Sequence, residues 1–183
     1  TAGAASVIGK SNGIPIKAIY VYSKPEWTAL VTNKNSGING IKDLVGKRVA
    51  VTRGTDPHIF LLQALNKYGL KESDIKPVLL QHPDGYRALV SKQVDAWAGL
   101  DPHMAKGELE TQTVLFYRNA DLNTYGILNV REEFAKKYPN VVKRVLNIYE
   151  KTRKYAQDNR DLLKASLIKA VNLTDKVATK QLS

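Results

Sequence analysis

Residues 47–68, KRVAVTRGTDPHIFLLQALNKY, predict a buried strand, a glycine turn and an amphipathic helix in direct succession. Val49–Val51 is a short apolar run rich in β-branched residues, which is typical of a strand covered on both faces. Gly54 supplies the turn, Asp56 is the predicted N-cap, and Pro57 suits the first helical position because its missing N–H costs nothing there. We expect the helix to stop near Gly69, in the C′ position.

This arrangement indicates a ligand-binding edge as well as a structural unit. A strand that enters a helix through a glycine turn leaves backbone N–H groups free at the carboxyl end of a sheet, where ligands bind in open α/β proteins and where an anion is favoured. The tripeptide Asp-Pro-His occurs at 56–58 and again at 101–103, each time after a predicted strand. Two independently capped helices and two sides of one ligand site both explain this repetition.

The composition excludes several classes of protein. The 183 residues include no cysteine, so disulfides, thiol catalysis and thiolate metal sites are excluded, and no apolar run approaches the length of a membrane span. The formal net charge of +11 raises nucleic acid, anionic lipid or cell-wall polymer as partners. Because the lysines are spread over many segments with acidic residues nearby, solvated helix faces explain the charge better.

The order of predicted elements favours an α/β protein. Besides the central strand, strands are predicted at Ile16–Tyr22, Trp27–Asn33, Lys76–Leu80, Val94–Gly99, Val114–Tyr117 and Tyr125–Val130. Strands and helices alternate in the middle of the chain, which predicts a mainly parallel sheet, and long amphipathic helices follow from Arg131 onward. The two early strands and the late helices suggest that the middle segment is inserted within a larger domain.

Several dispersed segments resemble one protein family in the same order. Ile41–Val51 followed by Gly54-Thr55 and His58, Gly69-Leu70 with Asp74-Ile75, Ala88-Leu89, and Val94–Pro102 resemble the second lobe of the periplasmic-type solute-binding proteins of ABC importers. Within that family the aliphatic sulfonate, taurine and nitrate binders and their thiamine-precursor relatives are most similar. The segment Trp97–Pro102 favours the sulfonate binders.

The resemblance implies a two-lobed, type II-like fold in which each lobe is a mainly parallel sheet flanked by helices. Residues 1–37 are then expected to belong to lobe 1 and the first crossing, 38–119 to a complete lobe 2, and 120–183 to the return crossing and the C-terminal helices of lobe 1. The first lobe is expected to be incomplete, since the family's first strands, its signal sequence and any lipid-attachment cysteine would precede Thr1.

The family also implies the function and the site. A clamp of this kind captures a small solute between its lobes outside the cytoplasm, in the periplasm or lipid-anchored at the cell surface, and delivers it to a membrane permease. A monomer without cofactor or metal is expected. By the same resemblance, the ligand-binding residues are expected to be Thr1, Gly3, Gly54, Thr55, Asp56, His58, Trp97, Asp101, Asn123 and Tyr125. From the residues alone, Trp97 is better explained as a core residue than as a ligand wall.

Asp56 departs from the small uncharged residues that sulfonate binders commonly carry at this place. A carboxylate there would occupy the N–H groups that an anion needs and would repel the anion. Asp56 either turns aside or pairs with a ligand ammonium, as in a zwitterion such as taurine. A sulfonate or similar zwitterion is therefore the expected ligand, with a thiamine-precursor pyrimidine or a nitrate-like ligand as the alternative.

Other classes of function find less support. Asp56 and Asp101 form a conceivable acid–base pair, but no motif around them matches a specific reaction, so an enzyme is not expected. The ligand-sensing domain of a transcription regulator shares the expected fold, although no helix-turn-helix segment is present. Nucleic-acid binding would rest on net charge alone and is not expected. His58 has no second ligand at metal-binding spacing.

Overall fold

The structure is a computed structural model that describes residues 3–182. In chain order its elements are α1 (Gly3–Ser11), β1 (Ile16–Ser23), β2 (Thr28–Asn33), β3 (Arg48–Val51), α2 (Asp56–Lys67), β4 (Lys76–Leu79), α3 (His82–Val90), β5 (Ala96–Leu100), α4 (His103–Glu110), β6 (Thr113–Tyr117), β7 (Gly126–Arg131), α5 (Glu132–Lys137), α6 (Pro139–Asp158), α7 (Arg160–Val171) and α8 (Asp175–Gln181). Short 3₁₀ turns cover Ile41–Leu44, Glu72–Asp74 and Ala120–Leu122. No described helix combines the length and the apolar character that crossing a bilayer requires.

Contacts divide the chain into two compact units. Unit 1 contains the described residues up to Pro25 and from Thr124 onward, and unit 2 contains Glu26–Asn123. The predicted domain boundaries placed residues 26–37 in the first lobe and the first crossing, whereas β2 pairs with strands of unit 2. The boundary could not be predicted locally, because β2 pairs with β5 and β6, which lie far from it in the sequence.

Unit 2 is built on a five-stranded sheet in the order β4-β3-β5-β2-β6. β3 pairs in parallel with β4 and β5, while β2 is antiparallel to both β5 and β6. Four of the five strands therefore run in one direction, and the predicted mainly parallel sheet is confirmed for this unit.

The two faces of this sheet carry separate apolar cores. One core packs α2, through Phe60 and Leu65 among others, against Val49, Val51 and Leu30. The other packs Leu89 of α3 and Met104 of α4 against Trp97 on the opposite face. β3 is thus followed by α2 on one face of the sheet, and its neighbour β5 is followed by α4 on the other face. The carboxyl ends of β3 and β5 therefore form a topological switch point.

The described part of unit 1 combines a two-stranded sheet with five helices. β1 and β7 pair antiparallel, so the mainly parallel sheet expected of this lobe is not found among its described residues. β7 runs alongside β1 in the opposite direction, with Gly126 opposite Ser23 and Arg131 opposite Ile16. Few of its apolar side chains are buried, the examples being Ala4, Val177 and Ala178, whereas α6 has no buried residue.

Candidate functional site

The carboxyl ends of the three adjacent parallel strands of unit 2 form one polar edge. β3 is followed by Thr52 and β5 by Asp101, the two sides of the switch point, and β4 by Leu80 on the flank. Each strand leads into a helix whose first residue is titratable: Asp56 in α2, His82 in α3 and His103 in α4. A depression of about 410 Å³ lies beside this edge and is lined in part by Thr52, Arg53 and Gln81.

His58 holds the Gly54 turn in place. The Gly54 N–H donates to His58 Nδ1 at 3.2 Å, and His58 Nε2 lies 3.2 Å from Glu72 Oε1. Because Nδ1 accepts, the proton is assigned to Nε2, which donates to Glu72. Gly54 itself has φ +76°, a conformation that glycine adopts without strain. His58 and the Gly54 N–H are therefore engaged within unit 2, which leaves neither of these groups for the predicted ligand.

The predicted cap of α2 is wrong by one residue. Thr55 is the N-cap, and Asp56 and Pro57 are the first two helical residues. The Thr55 hydroxyl donates to the Thr52 carbonyl at 2.6 Å instead of capping the helix. No acceptor for the Thr55 N–H is found within residues 3–182, so this donor remains at the strand edge for a ligand.

The charge of Asp56 acts on a histidine of the neighbouring strand edge. The Asp56 carboxylate is buried and favours the protonated form of His82, although burial and the charge of His103 outweigh it and lower the His82 pKa. The Thr52 hydroxyl donates to the Leu80 carbonyl at 2.6 Å, so its oxygen accepts from His82 Nδ1 at 3.3 Å. The carboxylate at the start of α2 thus has a cationisable neighbour on the next strand edge.

His103 completes this edge. Its ring stacks on Tyr86 with centroids 5.9 Å apart and an interplanar angle of 22°, and Tyr86 in turn contacts Trp97 at 6.0 Å. Burial is the first cause that lowers the His103 pKa, followed by the charges of Lys106 and Arg87. Both half-buried imidazoles are therefore biased toward their neutral forms.

The predicted Asp101 cap of α4 is also wrong by one residue, because the N-cap is Pro102 and Asp101 precedes it. Asp101 Oδ1 accepts from the Ala105 N–H at 3.2 Å, and its own N–H donates to the Trp27 carbonyl at 3.2 Å. The indole Nε1 of Trp27 is buried and meets no hydrogen-bond partner in the described part of the chain. This corner of unit 2 therefore contains a buried donor without an acceptor, on the residue whose carbonyl accepts from Asp101.

Two predicted ligand residues have structural roles in unit 2. Trp97 is only 1% exposed and lies within the core beneath α3 and α4, because β5 occupies the middle of the sheet. Asn123 Oδ1 accepts from the N–H and the hydroxyl of Thr28, at 3.0 and 2.9 Å. Its Nδ2 donates to the carbonyls of Thr28 and Asn119, at 3.4 and 3.0 Å, which uses the whole amide.

The remaining predicted site residues belong to unit 1. Thr1 lies outside the described residues. A Cβ on Gly3 would come within 3.3 Å of the Tyr125 backbone, a tight contact that glycine avoids. The half-exposed ring of Tyr125 has Lys24 Nζ at 5.2 Å from its centroid. Gly3 and Tyr125 thus lie side by side within unit 1, and their role in ligand binding stays a prediction.

The sequence interpretation missed Thr52, His82 and His103 as members of the strand edge and did not decide whether Trp27 belongs to it. One signal was available for His82: a polar residue followed by proline starts the helix after β4, as Asp56-Pro57 does after β3. For His103, the repeated Asp-Pro-His gave the position but not the role. Trp27 offered no local signal, because its place depends on the pairing of β2 with β5.

Comparison with known proteins gives a consistent picture. The NMT1/THI5-like family model matches residues 1–161. A putative aliphatic sulfonates-binding protein of Escherichia coli is 30% identical over 151 residues, covering 82% of this chain and 47% of that protein. The taurine-binding periplasmic protein of E. coli is 31% identical over 145 residues, covering 74% of this chain and 43% of that protein. The chain therefore spans about half the length of these curated relatives.

Solved structures share the fold. The periplasmic aliphatic sulphonate binding protein SsuA from E. coli superimposes with a TM-score of 0.89 at 26% identity, over 100% of this chain and 60% of that one. The desulfurization enzyme DszB gives a TM-score of 0.75 at 12% identity, over 98% of this chain and 68% of that one. At that identity the likeness concerns the fold alone.

Proposed function

The chain belongs to the NMT1/THI5-like family, and from this premise we propose that it captures a small sulfonate, as the substrate-binding component of an ABC importer. It acts outside the cytoplasm and delivers its ligand to a membrane permease. The named sulfonate and taurine relatives are binding proteins, which supports ligand capture over catalysis.

The geometry that carries this proposal is the switch point between β3 and β5. Ligands of open α/β sheets bind in the crevice outside the carboxyl ends of strands at such a point. Here the N–H of Thr55 and the indole N–H of Trp27 are hydrogen-bond donors without an acceptor in the described part of the chain. The oxygens of a sulfonate supply such acceptors, and a helix N-terminus favours their negative charge.

Asp56 favours a zwitterionic ligand over a simple anion. A buried carboxylate beside the anion-ready turn repels a bare sulfonate but attracts an ammonium group on the same ligand. An aminoalkanesulfonate such as taurine satisfies both groups. A thiamine-precursor pyrimidine, which needs no anion site, is the alternative that the same carboxylate favours.

The test compares taurine, ethanesulfonate, nitrate and a pyrimidine by thermal shift and titration calorimetry. Taurine at 100 times its dissociation constant is expected to stabilise the protein by about 2.7 kcal/mol. Asp56→Asn is expected to weaken taurine and to strengthen ethanesulfonate, which lacks the amine. Asp121→Asn, which removes an exposed carboxylate elsewhere in unit 2, is the matched control and is expected to change neither.

Each outcome distinguishes one class of ligand. Binding of a pyrimidine without any response to sulfonates overturns the proposal in favour of the alternative. Equal effects of Asp56→Asn on taurine and ethanesulfonate would leave a sulfonate binder but exclude the ammonium contact. A ligand-sensing domain of a regulator would show the same binding, so delivery is tested separately, by ligand uptake in cells with and without the partner permease.

A further inference from the structure

The positive charge of the chain is concentrated in one unit. Unit 1 has 16 Lys and Arg and six Asp and Glu residues, a formal net charge of +10, whereas unit 2 has 12 and 11, which leaves +1. The charge is therefore not scattered evenly, as the order of lysines along the sequence suggested. A positive excess of this size on one unit favours association with a negatively charged partner.

Much of the excess lies on the solvent-facing side of α6. Lys143, Arg144, Lys151 and Lys154 fall within about 100° of one another around a helix of 3.6 residues per turn. All four are exposed, and we refer to them as the basic face. Lys154 Nζ lies 3.6 Å from Glu150, whereas within residues 3–182 the other three make no ion pair. Exposed pairs of this kind contribute little, so the basic face remains open to an external anion.

The adjoining side of α6 packs against unit 1 itself. Tyr20 of β1 donates to Glu150, and Arg153 binds the same carboxylate through Nε at 2.8 Å and Nη2 at 2.9 Å. The Tyr22 and Tyr149 rings pack 6.3 Å apart. These contacts fix the rotation of the helix, so the basic face is held away from β1.

We propose that the basic face of α6 docks unit 1 onto an anionic phospholipid surface. In the same sector this face also carries asparagines at 140 and 147 and an aspartate at 158 but no aromatic or aliphatic anchor, since the exposed Tyr155 and Ile148 lie beyond its edge. A protein interface concentrates its affinity in such anchors and is depleted in lysine. A fluid lipid surface needs none, because mobile anionic headgroups gather around separate ammonium groups. Such docking holds a solute-binding protein at the membrane where transport takes place.

The test is co-sedimentation of the full chain with vesicles of phosphatidylglycerol and phosphatidylcholine, and with vesicles of phosphatidylcholine alone. At an ionic strength of about 0.1 M, where the Debye length is about 10 Å, binding to the anionic vesicles only is expected. At about 1 M salt, where that length is about 3 Å, binding is expected to disappear.

A charge-matched pair of variants separates the basic face from net charge. Each cation near the surface contributes roughly a fivefold factor to the partition coefficient, so Lys143→Gln/Lys151→Gln is expected to lower it roughly 25-fold. Lys67→Gln/Lys76→Gln makes the same charge change at exposed lysines of unit 2 and is expected to stay within about twofold of the parent. Circular dichroism and thermal unfolding establish that both variants remain folded.

Three results would overturn the proposal. Equal losses in the two double variants would reduce the effect to net charge. Binding to phosphatidylcholine alone, insensitive to salt, would assign it to apolar side chains. Tighter binding to duplex DNA than to anionic vesicles at the same ionic strength would make nucleic acid the partner of the basic face.

Discussion

Replacement of His58 by leucine tests whether this side chain holds the Gly54 turn. His58→Leu removes the acceptor of the Gly54 N–H and the donor to Glu72, both at 3.2 Å. Two hydrogen bonds of about 1 kcal/mol each, together with partial desolvation of the unpaired Gly54 N–H, amount to a loss of about 2–3 kcal/mol in the free energy of unfolding. The apolar volume of the nearly buried ring is largely retained by leucine.

The assay is urea unfolding followed by tryptophan fluorescence. Both tryptophans, Trp27 and Trp97, lie in unit 2, so the signal reports this unit without contribution from unit 1. With a slope of about 2 kcal/mol/M, the midpoint is expected to fall by about 1–1.5 M. Glu72→Ala is the companion variant and is expected to cost less than about 1 kcal/mol, because His58 still accepts from Gly54.

The double variant tests whether Glu72 contributes to stability only through His58. In the His58→Leu background, Glu72→Ala is expected to cost almost nothing, since the carboxylate has already lost its partner. A midpoint of His58→Leu within about 0.2 M of the parent would show that the turn holds without the imidazole. A weakened taurine response in the same variant, measured where the protein remains folded, is expected if the turn positions the Thr55 N–H.

Three further predictions concern unit 2. Asn123→Ala leaves the buried N–H and hydroxyl of Thr28 without their acceptor and is expected to cost about 2–4 kcal/mol in urea unfolding, whereas a loss below about 1 kcal/mol would contradict this role. Gly85→Ala places a Cβ 2.7 Å from Trp97 Nε1 and is expected to destabilise by about 1–3 kcal/mol, with no effect on ligand affinity once folded. Burial and the charge of His103 lower the His82 pKa, so the unfolded chain binds more protons and stability is expected to fall as the pH drops below about 6.5. His82→Gln is expected to flatten that decline, and an unchanged pH profile would contradict the assignment.

Local patterns predicted most elements of unit 2. The β-branched run Val49–Val51 forms β3, and Gly69 at φ +76° follows α2 in the C′ position, as predicted. Near the C-terminus, Thr174 accepts from the Val177 N–H and caps α8. These features depend on residues within one or two turns of each other, so the sequence carries their cause directly.

The roles of the candidate site residues were predicted less well. Trp97 and Asn123 were assigned to the ligand, yet one fills the core and the other uses its whole amide inside unit 2. The bond from Asn123 to Thr28 spans 95 residues, and nothing near either residue in the sequence announces it. A side chain that is polar or aromatic suits a ligand and a buried network equally well until its neighbours are known.

By itself the sequence determined the βα unit at 47–68, the family and the excess of positive charge. Short-range sterics, capping and composition are properties of adjacent residues and need no knowledge of the fold. Only the tertiary structure decided that β2 lies between β5 and β6, that the charge of Asp56 acts on His82, and that +10 of the charge belongs to unit 1. Each of these depends on residues distant in the chain becoming neighbours, which strand pairing and core packing determine together.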